Sequence, residues 1–258
     1  MDFEKFYDNQ PDYIAFRNDP ASREYYDAAV EWKVQELVRV IPGGMFFSEI
    51  LEVGCAFGVL LNRIADTLKI TKRTGVDIST ENIKTASTMW PECHFFRGTV
   101  EEFVKENKTG ETKFSLVVLS DIVEHIPDDL AFMKSVKGIS SHVVLNLPLE
   151  KSFNTRNRQY GESDPSGHLR CYDRDMAEKL VREAGFEIVN SFTSIAFFDK
   201  KVYEAYKRKR SARVKSKPLP LRLFWTVFYS LEDMLKLSNE ALAAKIYGTN
   251  YFALLKSI

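Results

Sequence analysis

Apolar and polar residues follow two rhythms along this chain, and the rhythms take turns. Short apolar runs of strand length occur at 48–53, 73–78, 94–97, 114–119, 142–147, 186–195 and 251–258. Between them lie segments whose apolar residues recur three and four apart, the spacing of a helix with one buried face. These cover 21–40, 59–68, 80–89, 100–106, 128–137 and 173–184. In the second of them Leu60, Leu61, Ile64, Ala65 and Leu68 share a stripe; in the last, Met176, Leu180 and Val181 are expected to face inward. The runs at 114–119 and 142–147 are apolar throughout, as in strands covered on both faces. Strand and helix in alternation predict an α/β fold, a doubly wound and mostly parallel sheet with helices on both sides.

Two stretches break the rhythm. Residues 1–20 are aromatic and polar with Pro11 and Pro20, and are expected to form a partly ordered lead-in to the helix at 21–40. Residues 199–249 read as an insertion between the last two strands. It carries the basic run Lys207-Arg208-Lys209-Arg210, then a stripe of Phe224, Val227, Phe228, Leu231 and Leu235, read first as a core helix against the sheet, with a substrate lid, a dimer face or a membrane-surface helix as the alternatives. The expected organisation is a helical lid at 1–44, a core at 45–198, this insertion, and a closing strand at 250–258.

Composition narrows the class. The 258 residues are 45% hydrophobic and carry 36 basic against 36 acidic side chains, so no net field draws nucleic acid or a membrane surface. Cys55, Cys93 and Cys171 are too few and too scattered for a disulfide framework or a zinc motif. The opening residues lack a signal-peptide pattern, and no apolar run is long enough to span a bilayer. A cytoplasmic enzyme without integral membrane association is the expectation. No metal-ligand spacing is evident, so no metal is expected.

The most informative stretch is Ile50–Leu61, I-L-E-V-G-C-A-F-G-V-L-L. A buried run ends at an acid, passes two glycines and becomes a helix. Gly54 and Gly58 let the backbone approach a ligand closely, and the new helix offers unpaired N–H groups to an anion. A dinucleotide loop would read G-x-G-x-x-G. Here Ala56 sits near the place of the second glycine, which favours a ligand carboxylate over a diphosphate and argues against a nicotinamide-dependent oxidoreductase. Glu52 is placed to meet a cationic amine. Asp77 ends the next strand about twenty residues on, where an acid accepts hydrogen bonds from ribose hydroxyls.

Four motifs in order, Glu52-Val53-Gly54-Cys55-Ala56-Phe57-Gly58, Gly75-Val76-Asp77-Ile78-Ser79, Arg97-Gly98-Thr99-Val100-Glu101 and Leu119 through Pro127 (L-S-D-I-V-E-H-I-P), resemble the class I S-adenosylmethionine-dependent methyltransferases. The small-molecule group that includes the ubiquinone-biosynthesis enzymes is the most similar. The resemblance spans about 45–198 plus the last strand. It implies a Rossmann-like seven-stranded sheet ordered 3-2-1-4-5-7-6 with the seventh strand antiparallel, and S-adenosyl-L-methionine as cofactor. It implies Glu52, Gly54, Cys55, Ala56 and Gly58 at the methionine end and Asp77 and Ile78 at the ribose. Gly98, Thr99 and Val100 fall at the adenine, and Ser120, Asp121 and Ile122 beside the methyl-bearing part. The family commonly has an Asp where this chain has Thr99.

Gly167-His168-Leu169-Arg170-Cys171-Tyr172 is similar to a further family segment at the mouth of the site. His125 and His168 are the candidate catalytic bases, each with an alternative structural role; Glu124 is either exposed to solvent or turned to the site. The implied activity is methyl transfer to an O or N atom of a small molecule. Two alternatives stay open: an RNA or protein methyltransferase using the basic run, and a cofactor-binding interaction module without turnover.

Overall fold

The computed structural model describes residues 3–106 and 114–258. Its seven strands are β1 (Glu49–Val53), β2 (Lys72–Asp77), β3 (His94–Arg97), β4 (Leu116–Ser120), β5 (His142–Leu149), β6 (Phe186–Ser194) and β7 (Thr249–Ser257). They form one sheet in the order β3-β2-β1-β4-β5-β7-β6. The first five run parallel, and β7 is antiparallel to both β5 and β6. Order and direction are those the sequence motifs implied.

Both faces of the sheet are covered, and the strands show it residue by residue. Along β4, Leu116 and Val118 turn to one face and Val117 and Leu119 to the other, and all four are fully buried. The first face packs on α3 (Pro20–Arg39) and α4 (Val59–Leu68), the second on α6 (Val100–Glu106), α7 (Asp129–Ile139) and α8 (Arg174–Glu183). Helix starts are set by short polar side chains. Ser79 caps α5 (Thr80–Met89) by accepting from the Asn82 N–H at 3.1 Å, and Asp128 and Asp173 cap α7 and α8 in the same way.

Three expectations are corrected. The lead-in is helical: α1 (Phe3–Asp8) and α2 (Pro11–Asn18) precede α3. Pro11 and Pro20 stand at the first helical position, where proline's fixed φ and missing N–H favour a helix start instead of interrupting one. In α8 it is Ala177, with Leu180 and Val181, that faces the core, whereas Met176 is exposed. The insertion folds as α9 (Lys200–Lys215), α10 (Leu219–Ser238) and α11 (Glu240–Tyr247), but α10 is not a core helix. Phe224, Val227, Phe228 and Leu231 are exposed, because the sheet faces they were expected to cover are already occupied. The Leu235 side chain lies outside the described residues. No described helix is long and apolar enough to cross a membrane.

Leu116 is 0% exposed and Leu231 62%. Leu116→Ala is expected to cost about 2–5 kcal/mol in urea unfolding, and Leu231→Ser no more than about 0.5 kcal/mol. A comparable loss from both would mean that the outer face of α10 is covered in the folded protein.

Candidate active site

The site forms where β1, β2, β3 and β4 end side by side. The turn after β1 is shaped by two buried carboxylates. Glu52 reaches forward to accept the Leu61 N–H of α4 at 2.9 Å, and Asp77, at the end of β2, accepts the Ala56 N–H at 2.8 Å and the Ser79 N–H at 2.8 Å. Between these anchors the backbone turns through left-handed conformations at Gly54, Ala56 and Gly58. A Cβ on Gly54 would stand 3.0 Å from Ile122 Cδ1, and one on Gly58 2.8 Å from the Phe95 ring. Only glycine meets both the conformation and the space. Burial pushes the carboxyls of Glu52 and Asp77 above their ordinary values.

A cavity of about 960 Å³ opens in front of this turn. Gly54, Asp77, Ile78, Gly98, Thr99, Val100, Asp121, Ile122 and His125 line it; Glu52, Cys55, Ala56, Gly58, Ser120 and His168 do not. Thr99 has a local duty. Its hydroxyl accepts the Glu102 N–H at 3.2 Å while the Glu102 carboxylate accepts the Thr99 N–H at 2.8 Å, a reciprocal cap that starts α6. Cys55 is buried beside Gly75, where a Cβ would come within 2.8 Å of its sulfur.

The loop after β4 is held from outside the motifs. Asp121, in a left-handed conformation, meets Lys33 of α3 at 2.5 Å and the Asn146 side chain of β5 at 3.2 Å. Burial opposes both charges, but each stabilises the other: Lys33 is raised and Asp121 lowered from their ordinary values. A short 3₁₀ turn, Val123–His125, follows. Glu124 is buried, which settles its placement against the solvent-exposed alternative.

His125 and His168, 43 positions apart, meet with ring centroids 4.7 Å apart, edge to face. His125 Nδ1 lies 3.0 Å from the Gly167 carbonyl oxygen, and His168 Nδ1 2.7 Å from Glu150 Oε2. A carbonyl and a carboxylate only accept, so both Nδ1 atoms carry hydrogen, and in the neutral form of each ring Nε2 is the nitrogen with the lone pair. Burial, reinforced by His168, lowers His125 to about 4. Glu150 is fixed in turn by Arg158, which also grips Asp164. Arg170 is committed to Asp129 at 2.8 Å. Tyr7 of α1 packs edge-on against His125, and Tyr7 and Tyr13 line the cavity.

Lys33, Asn146, Glu150, Tyr7 and Tyr13 were not singled out from the sequence. No local spacing marks them, since each reaches the site from another element. Lys33 stands between Val30 and Leu37 of the apolar stripe on α3, and its side chain is half-buried.

The family model described as "Methyltransferase domain" matches residues 11–191. Together with the sheet order and the cavity, this defines a class I methyltransferase. The chain belongs to the methyltransferase domain family and is an S-adenosylmethionine-dependent enzyme. Among curated proteins it is similar to the ubiquinone biosynthesis O-methyltransferases of Haemophilus ducreyi (31% identity over 101 residues, 37% of this chain and 42% of that protein) and Actinobacillus pleuropneumoniae serotype 5b (30% over 102 residues, 37% and 42%). The matched segments thus span about two fifths of those relatives. Among solved structures, the fold is shared with a chain of the complex between the Haloferax volcanii Trm112 methyltransferase activator and a methyltransferase (TM-score 0.63, 11% identity, 97% of this chain and 99% of that one). It is also shared with magnesium protoporphyrin IX methyltransferase of Synechocystis PCC 6803 with bound S-adenosylhomocysteine (TM-score 0.56, 16% identity, 76% and 93%).

Asp77→Ala is expected to weaken S-adenosylhomocysteine binding roughly 10–100-fold in calorimetry, the worth of one or two charged hydrogen bonds; unchanged affinity would remove Asp77 from the site. The folded pKa of Glu52 lies above its unfolded value, so its contribution to stability is full below about pH 4.3 and is lost as pH rises. Glu52→Gln keeps an acceptor for the Leu61 N–H and is expected to raise the melting temperature of the ligand-free protein near pH 8, with the gain fading toward pH 4. A lower melting temperature at pH 8 would mean that the carboxylate charge is compensated in the fold.

Proposed function

We propose that this methyltransferase methylates a hydroxyl oxygen of a small molecule, with the hydroxyl activated at the His125–His168 pair. The observation that carries the reading is the pair itself: two imidazoles in contact, each with Nδ1 fixed on an acceptor, one of them on the cavity wall. A hydroxyl acceptor needs its proton managed, whereas an amine needs little beyond positioning. The O-methyltransferase names of the curated relatives support the same choice.

The cavity's features fit the cofactor: a glycine turn with no room for Cβ, a carboxylate at the ribose position and enough volume for an adenosyl group and an acceptor. When bound, S-adenosylmethionine supplies a sulfonium methyl group for in-line displacement. Gly54 and the turn after β1 would hold the amino-acid end, with Glu52 behind it, and Asp77 and Ile78 the ribose. Gly98, Thr99 and Val100 would hold the adenine; backbone and Glu101 stand in for the missing Asp, because the Thr99 hydroxyl is taken by its cap. Asp121, held by Lys33, and Ile122 would border the transferring methyl. Cys55, Ala56, Gly58 and Ser120 would act from behind, by shaping the loop.

The remaining chain supplies orientation and exclusion of water. Helix α1 is tied across the cavity: Glu4 accepts from Thr80 and Asp8 from Ser79, at 2.9 and 2.6 Å. The N-terminal helices then act as a lid, and Tyr7 seals the histidine pair. Positioning of this kind can supply about 7–11 kcal/mol of a barrier. The basic helix α9 favours a small acceptor over a nucleic acid, because Arg208, Lys209 and Arg210 are paired with Glu24, Asp12 and Asp233.

His125→Ala and His168→Ala are each expected to lower kcat by about 10²–10⁴ without changing S-adenosylhomocysteine affinity, assayed by radiolabelled methyl transfer to a panel of phenols and aliphatic alcohols. Wild-type turnover in both variants, or methylation of amines alone, would overturn the reading.

A further inference from the structure

Glu124 is 1% exposed, and neither carboxylate oxygen has a hydrogen-bond partner on another described residue. Burying a carboxylate in that state is costly. The neighbouring acids do not share its condition. Asp121 has Lys33 and Asn146, Glu150 has Arg158 and His168, and Asp164 has Arg158 and the Ser166 N–H. His125 Nε2 lies 3.7 Å from Glu124 Oε1, beyond hydrogen-bond distance. One ligand atom each from Glu124, His125 and His168 lies within 4.8 Å of the others.

The two histidines are prepared in the manner of metal ligands. Each donates Nδ1–H to a fixed acceptor, a backbone carbonyl for one and a carboxylate for the other, which sets the tautomer and leaves Nε2 to bind. Gly167 allows this geometry: it has φ +78°, and a Cβ there would stand 3.3 Å from His125 Nδ1. Two neutral imidazoles and one carboxylate suit zinc and its first-row neighbours better than magnesium or calcium, which prefer oxygen donors.

We propose that Glu124, His125 and His168 bind one divalent first-row transition cation through three protein ligands, with its remaining positions open to the acceptor hydroxyl. Bonds of about 2.0–2.2 Å set ligand atoms roughly 3.3 Å apart, so binding draws the three groups together by about an ångström. For the ion's task the proposal rests on the O-methylation reading. The hydroxyl O–H bond breaks as the oxygen–metal bond forms, the proton leaves to water, and the histidine lone pairs go to the ion instead of to that proton.

The test uses the full chain, stripped with a chelator and titrated with Co²⁺, with bound Zn²⁺ counted by mass spectrometry after desalting. A single ion per chain and visible Co²⁺ absorption are expected. Binding should weaken at least about 10–100-fold in Glu150→Gln, which acts only through His168, and further in Glu124→Gln and His168→Ala. S-adenosylhomocysteine calorimetry certifies the fold of each variant, and Glu124→Gln is nearly isosteric. Equal Co²⁺ binding by wild type and Glu124→Gln, or no stoichiometric binding by wild type, would overturn the site. Turnover separates the two readings. Stripped enzyme that regains its rate only with Co²⁺ or Zn²⁺ supports the ion. Stripped enzyme at full rate, with the histidine variants still impaired, removes the ion and leaves the imidazoles as bases.

Discussion

Two buried carboxylates, one at the end of each of two adjacent strands, hold the loop on which this enzyme depends. Glu52 ties the turn forward to the first turn of α4, and Asp77 ties it sideways to β2. Each spends its acceptors on backbone N–H groups that would otherwise be orphaned at a helix start or a tight turn. The loop is thereby fixed with Gly54 on the cavity wall. Burial raises the free energy of both charges.

The rest of the site is an assembly of distant parts on that frame. Lys33 comes from α3 and Asn146 from β5, and they converge on Asp121 at the end of β4. His125 and His168 come from two loops and are held through Gly167, Glu150, Arg158 and Asp164. The chain from Arg158 to His168 is a continuous set of charge-assisted hydrogen bonds, which fixes the imidazole more firmly than packing alone. The strand ends form one side of the cavity, and the loop after β4 places His125 on its wall.

The local features were legible because they follow from short-range physics. Strand and helix periods, and the close backbone approach that Gly54 and Gly58 allow by lacking a Cβ, are properties of a few neighbouring residues. Where that reasoning failed, an equally physical reason is visible. The prolines at 11 and 20 start helices instead of interrupting them, Ala177 takes the inward place expected of Met176, and α10 has no free sheet face to cover.

By itself the sequence determined the order of elements, the parallel sheet, the ligand turn and the acid at the end of β2, since hydrophobic period and glycine placement act within one element or between adjacent ones. Only the tertiary structure decided that Glu124, His125 and His168 meet, that Lys33 answers Asp121, and that Glu150 orients an imidazole. Those contacts join residues up to 88 positions apart. They exist because the crossovers of the sheet bring strand ends and loops to one edge, and no spacing along the chain encodes that distance.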